Sequence, residues 1–303
     1  MLSGKFVVSG CFGAILGVLA GPAVAQNSQG GGGGGCNAIP NLGKLKSALS
    51  SSITAASGLN GGLGNNMWGT IVDTGGTVCA VAFSGANFTS EWLGSRVISA
   101  QKANTANAFS LTNTPAGSLF SGKGLALSTA NLFTAVQPGG SLYGLQHSNP
   151  VGTEVAYGNS AGGQGNAPAN ASSFGTPSDP MVGQRVGGVN VFGGGLALYK
   201  GGVKVGAVGV SGDTSCTDHM VAWRTRNKLG LDGFGSGVTG VSGDAARPDN
   251  IIFDINANTD GTGATGQSPT GDGGVGQSSG GFGHPKCLNN PTASAVSSLP
   301  AVK

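Results

Sequence analysis

The chain has 303 residues, 60 of them glycine, with 9% charged residues and a formal net charge of +3. So small and scattered a charge excludes the basic footprint of a nucleic-acid binder, and the composition is not that of a highly charged disordered chain. A compact core carrying long glycine-rich surface segments is expected.

The N-terminus reads as an address. Lys5 precedes the apolar run 6–20, and Ala23-Val24-Ala25 forms a small-x-small cleavage site. Residues 1–25 are therefore expected to be a signal peptide, delivering the chain to the periplasm or the extracellular space. No second run is long enough to span a bilayer, and the stretch 26–36, with its glycines 30–35, reads as a flexible tether. Export changes how the cysteines read. Once Cys11 is removed with the leader, Cys36, Cys79, Cys216 and Cys287 remain, an even number suited to two disulfides in an oxidising compartment. Spacing does not choose among the three pairings, and no C-x-x-C supports a redox site, a zinc ribbon or attached c-type haem.

From 37 to 256 the periodicities predict one α+β domain. Leu42, Leu45, Leu49 and Ile53 mark a helical stripe. Residues 67–73 (MWGTIVD) and 77–83 (TVCAVAF) predict a hairpin through Thr74-Gly75-Gly76. The alanine-rich stretch 92–109 predicts a helix able to pack close to a sheet, and 128–136 a shorter one. Residues 139–187 read as a loop insertion without a clear period. Strands are predicted at 189–192, 196–199 and 203–210, then a helix over 217–229 with Thr217 as cap and Arg224, Arg226 and Lys228 at its negative end. Hairpins make the sheet antiparallel, with about five strands and helices on its faces. The segment 257–303 reads as a Gly/Ser-rich loop that Cys287 clamps to the body.

The glycines at 206, 209 and 212 do not match a dinucleotide fingerprint or a P-loop, and a hairpin strand is the wrong setting for one. Asp213 and Asp218 would also repel an anion at the next helix. The glycines are better read as removing side chains where a helix, a neighbouring subunit or a flat ligand approaches. Ser211, Asp213 and His219 have the residue types of a hydrolase triad, but Gly209-Val-Ser211-Gly212 is not a nucleophile elbow. Asp249 and Asp254 carry no calcium-loop signature. Of the three histidines, His219 is the most suggestive haem ligand, with a polar first-turn residue as the plain reading. His284 suits a structural place beside Cys287, and His147 sits in a loop. Trp68, Trp92 and Trp223 are expected mainly as core or interface anchors.

Two motifs carry a resemblance. Ile98-Ser-Ala-Gln-Lys-Ala-Asn-Thr-Ala106 resembles the I-A-x-x-K-A-x-T-A helix of the GlcG/HbpS family of haem-binding proteins. Gly194-Gly195 with Val205-Gly-Ala-Val-Gly-Val-Ser-Gly212 is similar to that family's glycine hairpin, and Asp218 stands where the family opens its last helix with an acidic residue. The resemblance spans roughly residues 42–112 and 188–230. It implies a profilin-like α+β fold, homo-oligomers and, in some members, extracellular haem binding or degradation, with a threonine among the iron ligands. On that basis Thr105 is the candidate iron contact, and Lys102 could neutralise a propionate or pair with an acid. Gly194, Gly195, Gly209, Gly212 and His219 complete the expected haem surface. The alternative is a structural protein whose glycine-rich face is an oligomer interface. The chain departs from the family at Leu196-Ala197, where a proline is usual, and in residues 139–187, the tail after Gly230 and the extra cysteines.

Overall fold

The structure, a computed structural model, describes residues 35–54, 58–158, 170–257, 264–265 and 281–303. The expected signal peptide and most of the tether lie outside the described residues. In chain order the elements are α1 (Leu42–Thr54), β1 (Trp68–Asp73), β2 (Val78–Phe83), α2 (Ser95–Phe109), β3 (Gly124–Leu125), α3 (Thr129–Val136), α4 (Thr153–Tyr157), β4 (Gly195–Lys200), β5 (Val203–Ser211), α5 (Ser215–Lys228), β6 (Val238–Thr239), β7 (Phe253–Ala257), β8 (Ala264–Thr265), β9 (His284–Pro285) and α6 (Ala293–Ser297). Among the described residues no helix is long and apolar enough to cross a membrane.

The fold is α+β, as expected, with a wholly antiparallel main sheet in the order β2-β1-β5-β4. Alternation along each strand sends side chains to opposite faces. Ile71, Ala80, Ala82, Leu196, Leu198, Val208 and Val210 pack with Leu45 and Leu49 of α1 and Met220 and Trp223 of α5. Trp68, Val72, Val78, Val81 and Ala207 face the other way, onto Val97, Ala100, Ala103 and Ala106 of α2. The run of alanines on α2 lets the helix axis lie close to the sheet. Thr70 and Ser99 share a buried hydroxyl contact of 2.7 Å across that interface.

The main sheet has four strands where about five were expected. Residues 189–192 do not join it, because their backbone donors go to side chains. The Asn190 amide donates to Thr105 Oγ1 at 2.9 Å, and the Phe192 amide to Asn190 Oδ1 at 3.1 Å. The helix expected from residue 92 begins at Ser95, which leaves Trp92 on the surface. At α5 the cap is Thr214 rather than Thr217; its side chain accepts from the Thr217 amide. Thr217 instead donates from its hydroxyl to the Asn60 carbonyl at 3.0 Å.

The described part of 139–187 does more than loop out. Ala156, Met181 and Val186 join the core on the α2 side of the sheet. Asp179 holds the fully buried Arg96 of α2 through two hydrogen bonds, at 2.9 and 2.5 Å, and the Ala156 carbonyl accepts a third at 2.7 Å. The cysteines pair as Cys36–Cys79 and Cys216–Cys287. The second bond ties the start of α5 to the chain just after β9.

Candidate functional site

A cleft of about 310 Å³ opens beside the N-terminal half of α2. Ser95, Ile98 and Lys102 line it at helical spacing, so one face of α2 forms a wall. The opposite wall comes from the end of β5 and the first turn of α5: Ser211, Asp213, Ser215 and Asp218. Two aromatic residues complete the lining, Trp92 just before α2 and Phe192 just before β4, 54% and 49% exposed. With Ile98 they give the cleft a mainly apolar opening.

A buried ion pair lies under this slot. Lys102 Nζ is 2.6 Å from Asp218 Oδ2 and donates to the Val210 carbonyl at 3.1 Å. Asp218 Oδ1 accepts from the Asp213 amide at 2.9 Å. Both side chains are at most 3% exposed. Burial pushes the Lys102 amine below its ordinary value and the Asp218 carboxyl up to about 6, because lost hydration outweighs the attraction between them. The pair joins α2 to α5 across the end of β5. Asp213 is a staple: its carboxylate accepts the amides of Leu63, Asn65 and Thr214 and holds the 62–65 segment against the domain.

The structure divides the residues expected to bind haem. Lys102 lines the cleft, and the acidic partner is Asp218. Thr105 does not line it; its buried hydroxyl donates to the Gln101 carbonyl at 2.8 Å and accepts from Asn190, tying α2 to the 189–192 segment. His219 is also fully buried and points elsewhere, its Nε2 meeting Asn250 Oδ1 at 3.2 Å and the Ile251 amide at 3.1 Å. Burial lowers its pKa to about 3, so the ring is neutral. The glycines serve internal packing. A side chain at Gly209 would strike the Ser99 carbonyl and the Ala103 amide of α2, and one at Gly195 the Lys102 carbonyl and Thr129. Gly194, at φ +115°, lies against the Val210 carbonyl and Asp218, and Gly212 against Asn66 and Met67. At Gly195 and Gly209 it is the helix α2 that approaches, the first of the three occupants expected of the glycines.

Ser211, Asp213 and His219 do not form a triad, since Asp213 is committed to the 62–65 segment and His219 to Asn250 and Ile251. Trp68 and Trp223 are core residues, and only Trp92 of the three tryptophans reaches the cleft. Sequence reasoning missed Phe192, Ile98 and Ser215. Phe192 ends a segment that the sequence predicts as a strand, so nothing in the sequence pointed it at a site. Ser215 lies two residues before the helix start that the sequence predicts.

No curated protein matches the chain. Among solved structures, the Klebsiella pneumoniae protein ORFY is 21% identical, with a TM-score of 0.36, over 63% of this chain and 90% of its own. A structure described as a PduOC–haem complex is 22% identical, with a TM-score of 0.37, over 63% and 94%. A double mutant of Streptomyces reticuli HbpS is 13% identical, with a TM-score of 0.34, over 71% and 97%. The family described as haem degrading protein HbpS-like matches residues 50–226, more than half of the chain. The glycine hairpin, the α2 motif and this match lead to one conclusion: the chain belongs to the HbpS-like family.

Proposed function

We propose that this protein binds haem in the cleft between α2 and the start of α5, as an exported member of its family. The observation that carries the reading is a largely apolar cleft whose lining includes two half-exposed aromatic residues, Trp92 and Phe192, and the buried Lys102. Such a slot suits the faces of a flat macrocycle. Trp92, Phe192 and Ile98 would hold those faces and exclude water from them. Lys102, whose ammonium carries three donors and makes two hydrogen bonds, is the one cation of the lining and would be the group to pair with a propionate. Bound haem would supply iron-centred redox chemistry, with the protein setting its orientation and surroundings. The lining contains no His, Cys, Met or Tyr, so the donors it offers iron are the hydroxyls of Ser95, Ser211 and Ser215, the Lys102 amine and the carboxylates of Asp213 and Asp218, which are engaged with backbone amides and with Lys102. Thr105 and His219 support the walls rather than face the ligand. Export fits two disulfides among the described residues, and self-association belongs to the proposal through the family resemblance, with the exposed Trp92, Leu93 and Phe192 as the surface to examine.

Haem titration of the purified, oxidised protein tests the reading. A saturable Soret shift at one haem per chain is expected, weakened about tenfold, or ~1.4 kcal/mol, by Trp92→Ala or Phe192→Ala. A shift no larger than that of a non-binding control, or one unaffected by both substitutions, overturns it. Sedimentation with and without haem measures the oligomer.

A further inference from the structure

Ser215 and His284 are brought together by tertiary structure alone, 69 residues apart, with Ser215 Oγ 2.6 Å from His284 Nε2. The other ring nitrogen, Nδ1, lies 2.6 Å from the Pro285 carbonyl oxygen. A carbonyl can only accept, so Nδ1 carries the proton. In the neutral ring Nε2 then accepts, and the Ser215 hydroxyl donates to it. The ring is buried at 1% exposure and packs on Phe133 with centroids 5.0 Å apart, which fixes its plane. Ser215 itself is partly exposed and forms part of the cleft wall. The Gly193 amide donates to its oxygen at 2.6 Å. The Cys216–Cys287 bond pins both partners, as Cys216 follows Ser215 and Cys287 lies three residues beyond His284.

The contacts have the geometry that covalent catalysis asks of a nucleophile, a base and an orienting acceptor, with a backbone carbonyl in the third place. We propose that Ser215 is a nucleophile activated by His284, acting on a carboxylic ester with a flat, apolar acyl group held between Trp92 and Phe192. Ser215 Oγ forms a bond to the ester carbonyl carbon while its proton passes to His284 Nε2 and the carbonyl π pair moves onto oxygen. The Lys102 ammonium lies in the same cleft lining to stabilise that oxyanion. Collapse breaks the bond to the alcohol oxygen, which leaves with the proton from His284. Water repeats the sequence on the acyl-serine and releases the acid. The inference rests on the dyad and the cleft and is independent of haem binding.

Burial makes His284 a weak base, so covalent trapping is a better readout than turnover. A fluorophosphonate probe forms an O–P bond to the serine and breaks P–F, with fluoride leaving and the serine proton passing to His284. Haem-free, oxidised protein should give a single adduct on the peptide carrying Ser215, at least about 100-fold faster than the urea-unfolded chain. Ser215→Ala should abolish the adduct, and His284→Asn should slow it at least tenfold. No adduct at Ser215, a rate no greater than that of the unfolded chain, or a wild-type rate in a folded His284→Asn protein overturns the proposal. The comparison with the unfolded chain decides the matter even if His284→Asn does not fold.

Discussion

The Lys102–Asp218 pair lends itself to a double-mutant cycle. Both side chains are at most 3% exposed, and the ions are 2.6 Å apart. Lys102→Met leaves Asp218 buried without its cation, and Asp218→Asn leaves the Lys102 ammonium without its anion. Removing one partner of a buried pair costs about 3–5 kcal/mol. The lower end is expected for Lys102→Met, because Asp218, already raised to about 6, can take up a proton instead. The double variant removes both charges together, and the carboxamide oxygen introduced by Asp218→Asn can still accept the amide of Asp213. It should therefore cost well below the sum of the single changes, with a coupling of about 2–3 kcal/mol. Urea unfolding at pH 7 and 25 °C measures all four corners. Single costs below about 1 kcal/mol, or additivity within about 0.5 kcal/mol, would refute the view that this pair is a desolvated tie between α2 and α5.

Gly209→Ala should destabilise by about 3 kcal/mol or more, since the new methyl meets the α2 backbone at Ser99 and Ala103, which cannot rotate away; a thermal midpoint within 2 °C of wild type would contradict it. Replacing Cys216 and Cys287 by serine frees a separation of 71 residues and should cost about 4 kcal/mol by the chain-entropy relation, together with a slower Ser215 adduct; unchanged chemical stability would remove the clamp reading. His219 and His284 are both held to about 3 by burial, so below pH 6.5 the unfolded chain takes up protons that the folded chain refuses, and this stability, complete above pH 6.5, drains away towards pH 3. Asp218, raised to about 6, acts in the opposite sense below pH 6, leaving a net loss of about 2–3 kcal/mol between pH 7 and pH 5. Urea midpoints at the two pH values check this, and equal or greater stability at pH 5 would be the contrary result. Trp92→Ala, at a half-exposed position, should change stability by no more than about 0.5 kcal/mol while weakening haem, which a parallel melt and titration would separate.

Short-range patterns made the architecture legible. The stripe Leu42, Leu45, Leu49 and Ile53, the two hairpins and the small residues of α2 each obey a period set by backbone geometry, and local periodicity survives in any tertiary context. The family was legible too, because its motif residues perform internal packing that has to stay in register: Gly209 lies under Ser99 and Ala103 of α2, and Lys102 beneath Gly194. That same role keeps several of the expected residues out of the cleft. Thr105, Gly209 and His219 are spoken for by Asn190, α2 and Asn250, and hydrogen-bond commitments made across the fold leave no trace in spacing.

What only the tertiary structure decided is which side chains face one another. Trp92, Phe192 and Ser215 come from three separate parts of the chain, and Ser215 meets His284 only because Cys216–Cys287 and the β7–β9 pairing return the tail to the start of α5. The amino-acid sequence by itself determined the main helices α1, α2, α3 and α5, the two hairpins and the family, while the short α4 and α6 lie in stretches that read as loops. Long-range closure determined the cleft, because contacts between distant residues form only when the whole core is packed.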